Sequence, residues 1–197
     1  MGKVEANKQQ KRESILNAAF RLFTQKGITK TSISDIVKES GVAKGTFYLY
    51  FKDKYDVKNL LIAHKASELF YEADKALKEK GITDIIDAII FITEYMIDAL
   101  TNDKTLLLFI SKNLSWGVFK TSLINSNEKI NFYNLYSELI EQEQYDFIDP
   151  EIMLFMIIEM TSSSCYSSIL YNEPVPIEKL KPYIIKEVKN IINEHLV

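Results

Sequence analysis

The segment GVAKGTFYLYFKDK, residues 41–54, places five large side chains in a row between lysines. An α-helix buries only one stripe of its surface, so these five side chains cannot all face a core. Phe47 and Phe51 are four residues apart and share one helical face, whereas Tyr48-Leu49-Tyr50 lie between them. The pattern therefore predicts a short helix that is held by two phenylalanines and presents three large side chains outward.

A second short helix is predicted immediately before this segment. Ser32 and Asp35 have the spacing of a capping box, and Gly41 supplies the backbone freedom that a tight turn requires. Two short helices joined by such a turn are typical of a helix-turn-helix. Before them, apolar periodicity predicts a helix over residues 8–26 that ends at Gly27.

The rest of the chain has the same helical character. Glycine and proline are scarce, with six and four in 197 residues, and they lie at the edges of the periodic segments. The predicted fold is all-α with about nine helices, three of them in an N-terminal helix-turn-helix head and the others in a C-terminal ligand-binding and dimerisation body. The later helices are predicted over residues 54–80, 83–100, 104–114, 128–144 and 150–171, with a last one from about 182 to 195, and residues 116–127 are ambiguous.

Charge divides the chain at the end of the predicted head. Residues 1–54 carry eleven lysines and arginines against five acidic residues, a net charge of +6, and residues 55–197 carry thirteen against twenty-two, a net charge of −9. The predicted domains are therefore 1–54 and 55–197. A basic head on an acidic body is expected when one end of a chain meets a polyanion, although charge alone leaves a solvated lysine-rich tail as the alternative.

The sequence offers neither a metal site nor a catalytic constellation. Cys165 is the only cysteine and His64 and His195 are the only histidines, which excludes a disulfide framework and argues against a zinc site. Without a nucleophile–base pair or a phosphate-binding glycine loop, the chain is expected to be no enzyme and to carry no cofactor. The N-terminal residues lack the apolar segment of a secretory signal, so a cytoplasmic location is predicted.

Duplex DNA suits the outward-facing residues of the short helix within residues 41–54. Gly45 allows the helix to approach a DNA backbone closely, and the hydroxyls of Thr46 and the two tyrosines can donate to phosphate oxygens. Lys44 can reach a phosphate or a guanine edge, and Lys54 adds a cation at the start of the next helix. The alternative is that Tyr48-Leu49-Tyr50 covers a protein partner, but such a surface would not need the lysines and the glycine.

Residues 15–61, ILNAAFRLFTQKGITKTSISDIVKESGVAKGTFYLYFKDKYDVKNLL, resemble the DNA-binding head of the TetR family of bacterial transcription regulators. The resemblance covers about a quarter of the chain, and its most specific part is residues 41–54. It implies a three-helix head and a helical body that dimerises and often binds a small molecule. By position, it implies DNA contacts from Ser34, Lys44, Gly45, Thr46, Tyr48, Leu49, Tyr50 and Lys54.

The segment 152–172 stands out in the body because Glu159 is its one charged residue in twenty-one. A helix that is apolar on nearly all sides is expected to be buried on all sides. The stretch TSSSCYSS and the lack of flanking basic residues argue against a membrane span. Small residues permit close helix approach, so this segment is predicted to form the seam of a homodimer, which the resemblance also implies.

A carboxylate in apolar surroundings must be paired, protonated or opposed by a cation. Glu159 is therefore a candidate for binding a cationic ligand, with a paired or interface-rim glutamate as the alternative. Aromatic residues of the body are candidates for lining a pocket for a flat hydrophobic molecule, with ordinary core packing as the alternative for each. The candidate ligand residues are Tyr95, Phe109, Trp116, Phe119, Tyr133, Tyr136, Phe155, Glu159 and Tyr166.

Together these features predict a homodimeric transcriptional regulator. It is expected to repress by binding a double-stranded DNA operator and to be released by a small hydrophobic effector, which would be cationic if Glu159 takes part. The alternative is the same head with a body that binds a protein partner, and an all-helical enzyme is disfavoured. No metal, cofactor or membrane is expected among its partners.

Overall fold

The computed structural model describes residues 3–110 and 145–197, and the chain divides into two compact units, 1–64 and 65–197. The described residues form eight helices and one isolated antiparallel bridge, between Phe147 and Leu196, which confirms the all-α class. The predictions for residues 116–127 and 128–144 lie outside the described residues. The helices are α1 (Lys3–Lys26), α2 (Ile33–Ser40), α3 (Lys44–Tyr50), α4 (Lys54–Glu79), α5 (Ile85–Asn102), α6 (Lys104–Ile110), α7 (Pro150–Tyr171) and α8 (Ile177–Glu194).

The first unit is built around one apolar core. Its members come from α1, α2, α3, the residue that follows α3, and the first part of α4, and all of them are buried: Ile15, Ala18, Ala19, Leu22, Phe23, Ile36, Phe47, Phe51, Val57, Leu61 and Ile62. Helix α1 begins at Lys3 rather than at the predicted residue 8. Its first turns are polar helix formers without an apolar stripe, so periodicity could not indicate them.

Helix α4 runs through the boundary between the units, which lies after His64. The predicted domain boundary after residue 54 is at the first residue of this helix. Asp53 caps the start of this helix, because its Oδ1 accepts hydrogen bonds from the backbone N–H of Tyr55 at 2.8 Å and of Asp56 at 2.9 Å. Such caps satisfy N–H groups that have no partner within the helix.

The second unit has its main core between α5, α6, α7 and α8. A smaller cluster joins the last turns of α4 to α5 through Ala73, Leu77, Ala88 and Ile92. Asp84 caps α5, since its Oδ1 accepts from the backbone N–H of Asp87 at 3.0 Å. Its other oxygen accepts from the Tyr145 hydroxyl at 2.8 Å, which ties the segment before α7 to the start of α5.

Helix α7 is not buried on all sides by its own chain, and the dimer seam predicted for the segment 152–172 stays a prediction. Ile152, Phe155 and Met156 are 51%, 40% and 42% exposed in the single chain, whereas Cys165 and Ser168 on the other side are buried. The helix is long and apolar enough to cross a membrane by length and composition alone. Its packing against α5, α6 and α8 is that of a core helix with several partly exposed apolar residues.

Helix α8 begins at Ile177, not near Pro182 as predicted. Pro182 lies inside the helix and is exposed. Because proline has no backbone N–H, the carbonyl of Glu178, four residues earlier, has no helical hydrogen-bond donor, and Glu178 is exposed as well. Water can bind that carbonyl. Burial of Ile177 in the main core holds the turn before the proline in place, so tertiary packing outweighs the local preference.

Candidate nucleic-acid interface and body cavity

The turn between α2 and α3 has the predicted geometry. Gly41 ends α2 in the left-handed region, with φ 70° and ψ 19°, and its N–H is bonded to the carbonyl of Val37. The N–H of Val42 is directed to the same carbonyl at 3.2 Å. A side chain at φ 70° would be strained, so glycine fixes the point at which the chain turns into α3.

Two ion pairs join α1 to α2. Lys26 Nζ lies 2.9 Å from Asp35 Oδ2, and Arg21 Nε lies 2.9 Å from Glu39 Oε1. The capping box is present: Asp35 Oδ2 accepts from the Ser32 N–H at 2.9 Å, and the Asp35 N–H donates to Ser32 Oγ at 3.1 Å. The Ser32 N–H, the Lys26 ammonium and the Ser32 hydroxyl hold the pKa of Asp35 well below its ordinary value.

Helix α3 is anchored by the predicted pair of phenylalanines. Phe47 is fully buried and Phe51 is 3% exposed, and their ring centroids are 5.6 Å apart. Tyr48 and Leu49, by contrast, are 52% and 81% exposed. One face of α3 therefore packs against the buried residues of the first unit. The opposite face carries large side chains that are exposed to solvent.

The other predicted DNA residues around α3 lie on or beside this open face. Ser34, Lys44 and Gly45 are exposed, and Thr46 and Tyr50 are half-buried. A methyl group added at Gly45 would meet nothing within 4 Å, and the backbone there is not left-handed. Neither packing nor conformation within the chain requires this glycine. We call Ser34, Lys44, Gly45, Thr46, Tyr48, Leu49 and Tyr50 the recognition surface.

Lys54 occupies a different position from the rest. Its Nζ donates to the carbonyls of Ile28 at 2.8 Å, Thr29 at 3.2 Å and Thr31 at 2.8 Å, all in the turn between α1 and α2. An ammonium group has three hydrogens, so these bonds use all of them. In the free chain the Lys54 ammonium is thus fully hydrogen-bonded within the protein, and its predicted contact with a phosphate stays a prediction.

A cavity of about 120 Å³ lies within the second unit. None of the described residues that line it is charged; most are aliphatic, and the polar ones are Thr93, Thr161, Ser162 and Cys165. An engineered cavity of roughly 150 Å³ in another protein holds benzene, so this volume suits a small apolar group. The apolar lining residues are Ala66, Leu69, Phe70, Ile89, Ile92, Met96, Ile97, Leu100, Leu107, Ile110, Leu154, Ile157 and Ile158.

Two of the four polar side chains of the cavity wall are hydrogen-bonded within the chain, and none of the four is ionised. Thr93 Oγ1 donates to the Ile89 carbonyl at 2.8 Å, and Ser162 Oγ donates to the Glu159 carbonyl at 3.3 Å. Thr161 Oγ1 is buried without a hydrogen-bond partner. Burial raises the pKa of the Cys165 thiol to about 12, so this thiol stays neutral.

Among the described residues, none of the predicted ligand residues lines this cavity. Tyr95 packs on the cluster between α4 and α5, and Phe109 is buried. Phe155, Glu159 and Tyr166 lie on α7 away from the cavity lining, and Glu159 is half-buried beside the exposed stripe of Ile152, Phe155 and Met156. Trp116, Phe119, Tyr133 and Tyr136 lie outside the described residues. The described part of the chain also holds no cluster of three or more metal-ligating side chains.

Comparison with known proteins agrees with the geometry of the first unit. Residues 15–58 match the family described as "Bacterial regulatory proteins, tetR family". The HTH-type transcriptional regulator YvdT of Bacillus subtilis is 59% identical over 44 residues, which are 22% of this chain and 23% of YvdT. The HTH-type transcriptional regulator SAB2452 of Staphylococcus aureus is 25% identical over 182 residues, 88% of this chain and 90% of that protein.

Solved structures share the fold of the whole chain. The fatty acid degradation regulator FadR from Bacillus halodurans has a TM-score of 0.63 at 21% identity, over 91% of this chain and 94% of that one. FadR from Bacillus subtilis, solved in complex with stearoyl-CoA, has a TM-score of 0.60 at 18% identity, over 92% and 99%. These relatives are regulators, not enzymes. The predicted resemblance to the TetR family of bacterial transcriptional regulators is confirmed.

Proposed function

We propose that this chain is a cytoplasmic, homodimeric repressor that binds a double-stranded DNA operator and leaves it when a small, uncharged apolar effector occupies the body. The observation that carries the DNA-binding part is the division of α3 into a buried face and an open one. Phe47 holds the helix, while Tyr48 and Leu49 extend into solvent beside Lys44. This surface combines a cation, hydroxyls and a glycine in the manner of a phosphate-binding helix.

Exposed apolar residues on α7 support the homodimer. Ile152 and Met156 form an apolar strip that is exposed in the single chain. Large exposed apolar patches mark interfaces, and a second copy of the chain offers the same strip. A dimer also presents two recognition surfaces, as an operator with two half-sites one or more helical turns apart requires.

The cavity supports an effector without charge. A charged group placed there would lose its hydration, and none of the described lining residues carries an opposite charge. Glu159 does not line the cavity, so the cationic effector considered from the sequence has no counter-charge in the described wall. A regulator of similar fold binds stearoyl-CoA. The apolar part of an effector could therefore be a hydrocarbon chain as well as a small ring.

DNA binding can be tested with duplexes selected from a random-sequence library by the purified chain. Lys44→Ala combined with Tyr48→Ala should abolish binding to the selected duplex while circular dichroism and dimer mass stay unchanged. With roughly six to ten phosphate contacts per dimer, the wild-type affinity should fall by about 10³–10⁵ between 50 and 200 mM salt. Retention of affinity by the double variant would contradict the assignment of the recognition surface.

Effector binding can be tested by calorimetry with toluene, benzylamine and benzoate, which share a ring and differ in charge. We expect toluene to bind and the two charged compounds not to bind, and stearoyl-CoA serves as a separate probe. Ala66→Met is the matched variant, because a flexible side chain at Ala66 would fill the cavity and remove toluene binding. If no compound binds the wild type, a body that binds a protein partner becomes the better reading.

A further inference from the structure

Thr161 lies in the middle of α7, and its hydroxyl differs from those of comparable threonines in this chain. Thr24, Thr93 and Thr101 also lie on helices, and each Oγ1 donates to the carbonyl four residues earlier, at 2.9, 2.8 and 2.7 Å. For Thr161 that carbonyl would be the one of Ile157, but its Oγ1 is buried and bonds to no residue that the structure describes. The Thr161 side chain therefore lacks the bond that the other three make to their own helix.

An unpartnered hydroxyl in an apolar interior lowers stability, because it has lost its hydrogen bonds to water without gaining others. Nearly all buried polar groups of folded proteins are paired, so an unpaired one requires a physical explanation. Valine has nearly the same shape as threonine and would avoid the cost. Rules of this kind are broken mainly at functional sites, where a ligand can supply the missing bond.

Thr161 also belongs to the wall of the cavity in the second unit. From the same helix, Leu154, Ile157 and Ile158 line this cavity with apolar surface. A group that fills the cavity contacts its wall, and rotation about the Cα–Cβ bond of Thr161 can turn the hydroxyl toward that group. A threonine hydroxyl both donates and accepts hydrogen bonds, so it can pair with the oxygen of a neutral hydroxyl, ether or carbonyl.

The other polar side chains of the described wall are less suited to this role. Thr93 Oγ1 and Ser162 Oγ already donate to backbone carbonyls of their own helices. The thiol of Cys165 is only a weak hydrogen-bond donor. Among the described lining residues, Thr161 therefore carries the hydroxyl whose donor and acceptor capacity are both unused.

We propose that Thr161 determines the specificity of the effector site: the effector is an uncharged apolar molecule with one neutral oxygen group, a hydroxyl, ether or carbonyl, which forms a hydrogen bond with the Thr161 hydroxyl. This inference rests on the proposed effector function of the cavity and narrows the class of compound. The bond gives the hydroxyl the partner that it lacks in the free chain. A hydrocarbon of the same size fills the cavity but leaves the hydroxyl unpaired.

Phenol and toluene test this inference, because they are nearly equal in size and carry a hydroxyl or a methyl group on the same ring. Calorimetry gives the ratio of the phenol dissociation constant to the toluene dissociation constant, for the wild type and for Thr161→Val. Phenol is better hydrated than toluene, but this difference is the same for both proteins and cancels when the two ratios are compared. We expect the ratio to rise by about fivefold or more in Thr161→Val, which corresponds to the loss of one hydrogen bond.

Thr93→Val is the matched control. Thr93 also lines the cavity, but its hydroxyl is bonded to the Ile89 carbonyl at 2.8 Å, so the ratio should stay at the wild-type value. Thr161→Ser keeps the hydroxyl and should keep the ratio close to that of the wild type. If Thr161→Val does not fold, Thr161→Ala takes its place, because it lacks the hydroxyl as well.

An equal ratio in the wild type and in Thr161→Val would overturn the inference, and so would an equal rise in Thr93→Val. Failure of phenol to bind a wild type that binds toluene would overturn it too. In each of these cases the cavity remains an effector site, and only the role of Thr161 is lost. If neither compound binds the wild type, the proposed effector function fails and this inference fails with it.

Discussion

Lys26 at the end of α1 lies 2.9 Å from Asp35, the residue that completes the capping box of α2. The Asp35 carboxylate thus accepts hydrogen bonds from the Ser32 N–H and hydroxyl while it faces the Lys26 ammonium. One side chain therefore joins two helices of the head and caps one of them. Its ionised form is required for both roles.

This arrangement predicts an acid-sensitive head. Because the folded state lowers the pKa of Asp35, the carboxylate stabilises the fold above the ordinary pKa of about 3.9, and this stabilisation is lost as the pH falls below that value. The measurement is the melting temperature of the wild type and of Asp35→Asn from pH 7 to pH 2. The wild type should be the more stable at pH 7, and the difference should shrink below pH 4. A difference that does not vary with pH would contradict this role.

Phe47 and Leu49 form a matched pair that separates folding from binding. Phe47→Ala should lower the free energy of unfolding of the head by about 3–5 kcal/mol, because it empties a fully buried site. Leu49→Ala removes a side chain that is 81% exposed and should change stability by less than about 0.5 kcal/mol. Urea denaturation measures both values. Leu49→Ala should nevertheless alter which duplexes are selected from a random library, and an unchanged selection would show that Leu49 reads no base.

Gly45→Ala should stabilise the free protein and weaken its binding to DNA. The added methyl group meets nothing within 4 Å and the backbone is not left-handed, so the helix should gain about 0.5–1 kcal/mol from the lower entropy of the unfolded chain. A DNA backbone that approaches α3 closely would meet the new methyl group. Thermal unfolding and duplex affinity should therefore move in opposite directions. If both rise together, DNA does not approach at Gly45.

Thr161→Val should stabilise the second unit. Thr161 Oγ1 is buried without a partner, so replacing the hydroxyl by a methyl group removes a desolvation cost of about 1 kcal/mol. Thr93→Val is the control, because the Thr93 hydroxyl donates to the Ile89 carbonyl at 2.8 Å and its loss should not stabilise. Chemical denaturation of both variants measures the difference. A stability gain of the same size in both would show that the missing bond at Thr161 is not the cause.

The head could be predicted closely because its signals are local. The capping box at Ser32, the glycine turn at Gly41 and the spacing of Phe47 and Phe51 each fix a backbone conformation or a helical face within a few residues. The hydrogen-bond partners of the Lys54 ammonium could not be predicted in this way. Its carbonyl partners lie 23 to 26 residues earlier in the chain, and a lysine near a recognition helix has the same appearance whether it binds phosphate or protein.

The cavity was harder to predict for a chemical reason. The described wall consists mainly of aliphatic residues such as Leu69, Met96 and Ile157. In a sequence, the residues that line such a cavity cannot be distinguished from those of a filled core, whereas aromatic and charged residues suggest a binding site. Glu159 is a candidate ligand residue because it is the one charged residue of its segment. In the structure it lies beside the exposed apolar residues of α7 and does not line the cavity. The sequence could not indicate that Ile152 and Phe155 are the exposed residues of this helix. An apolar pattern on all sides does not distinguish a face that its own chain covers from one that a second copy would cover.

Helix α7 has a consequence for how any binding constant of this protein is measured. Leu154, Ile157 and Thr161 line the cavity, while Ile152 and Met156 on the same helix form the exposed strip that we assign to a second copy. A compound that shifts this helix would act on self-association as well, and by reciprocity self-association would act on the compound. Titrations at nanomolar and at micromolar protein concentration should then give different apparent dissociation constants for the same compound.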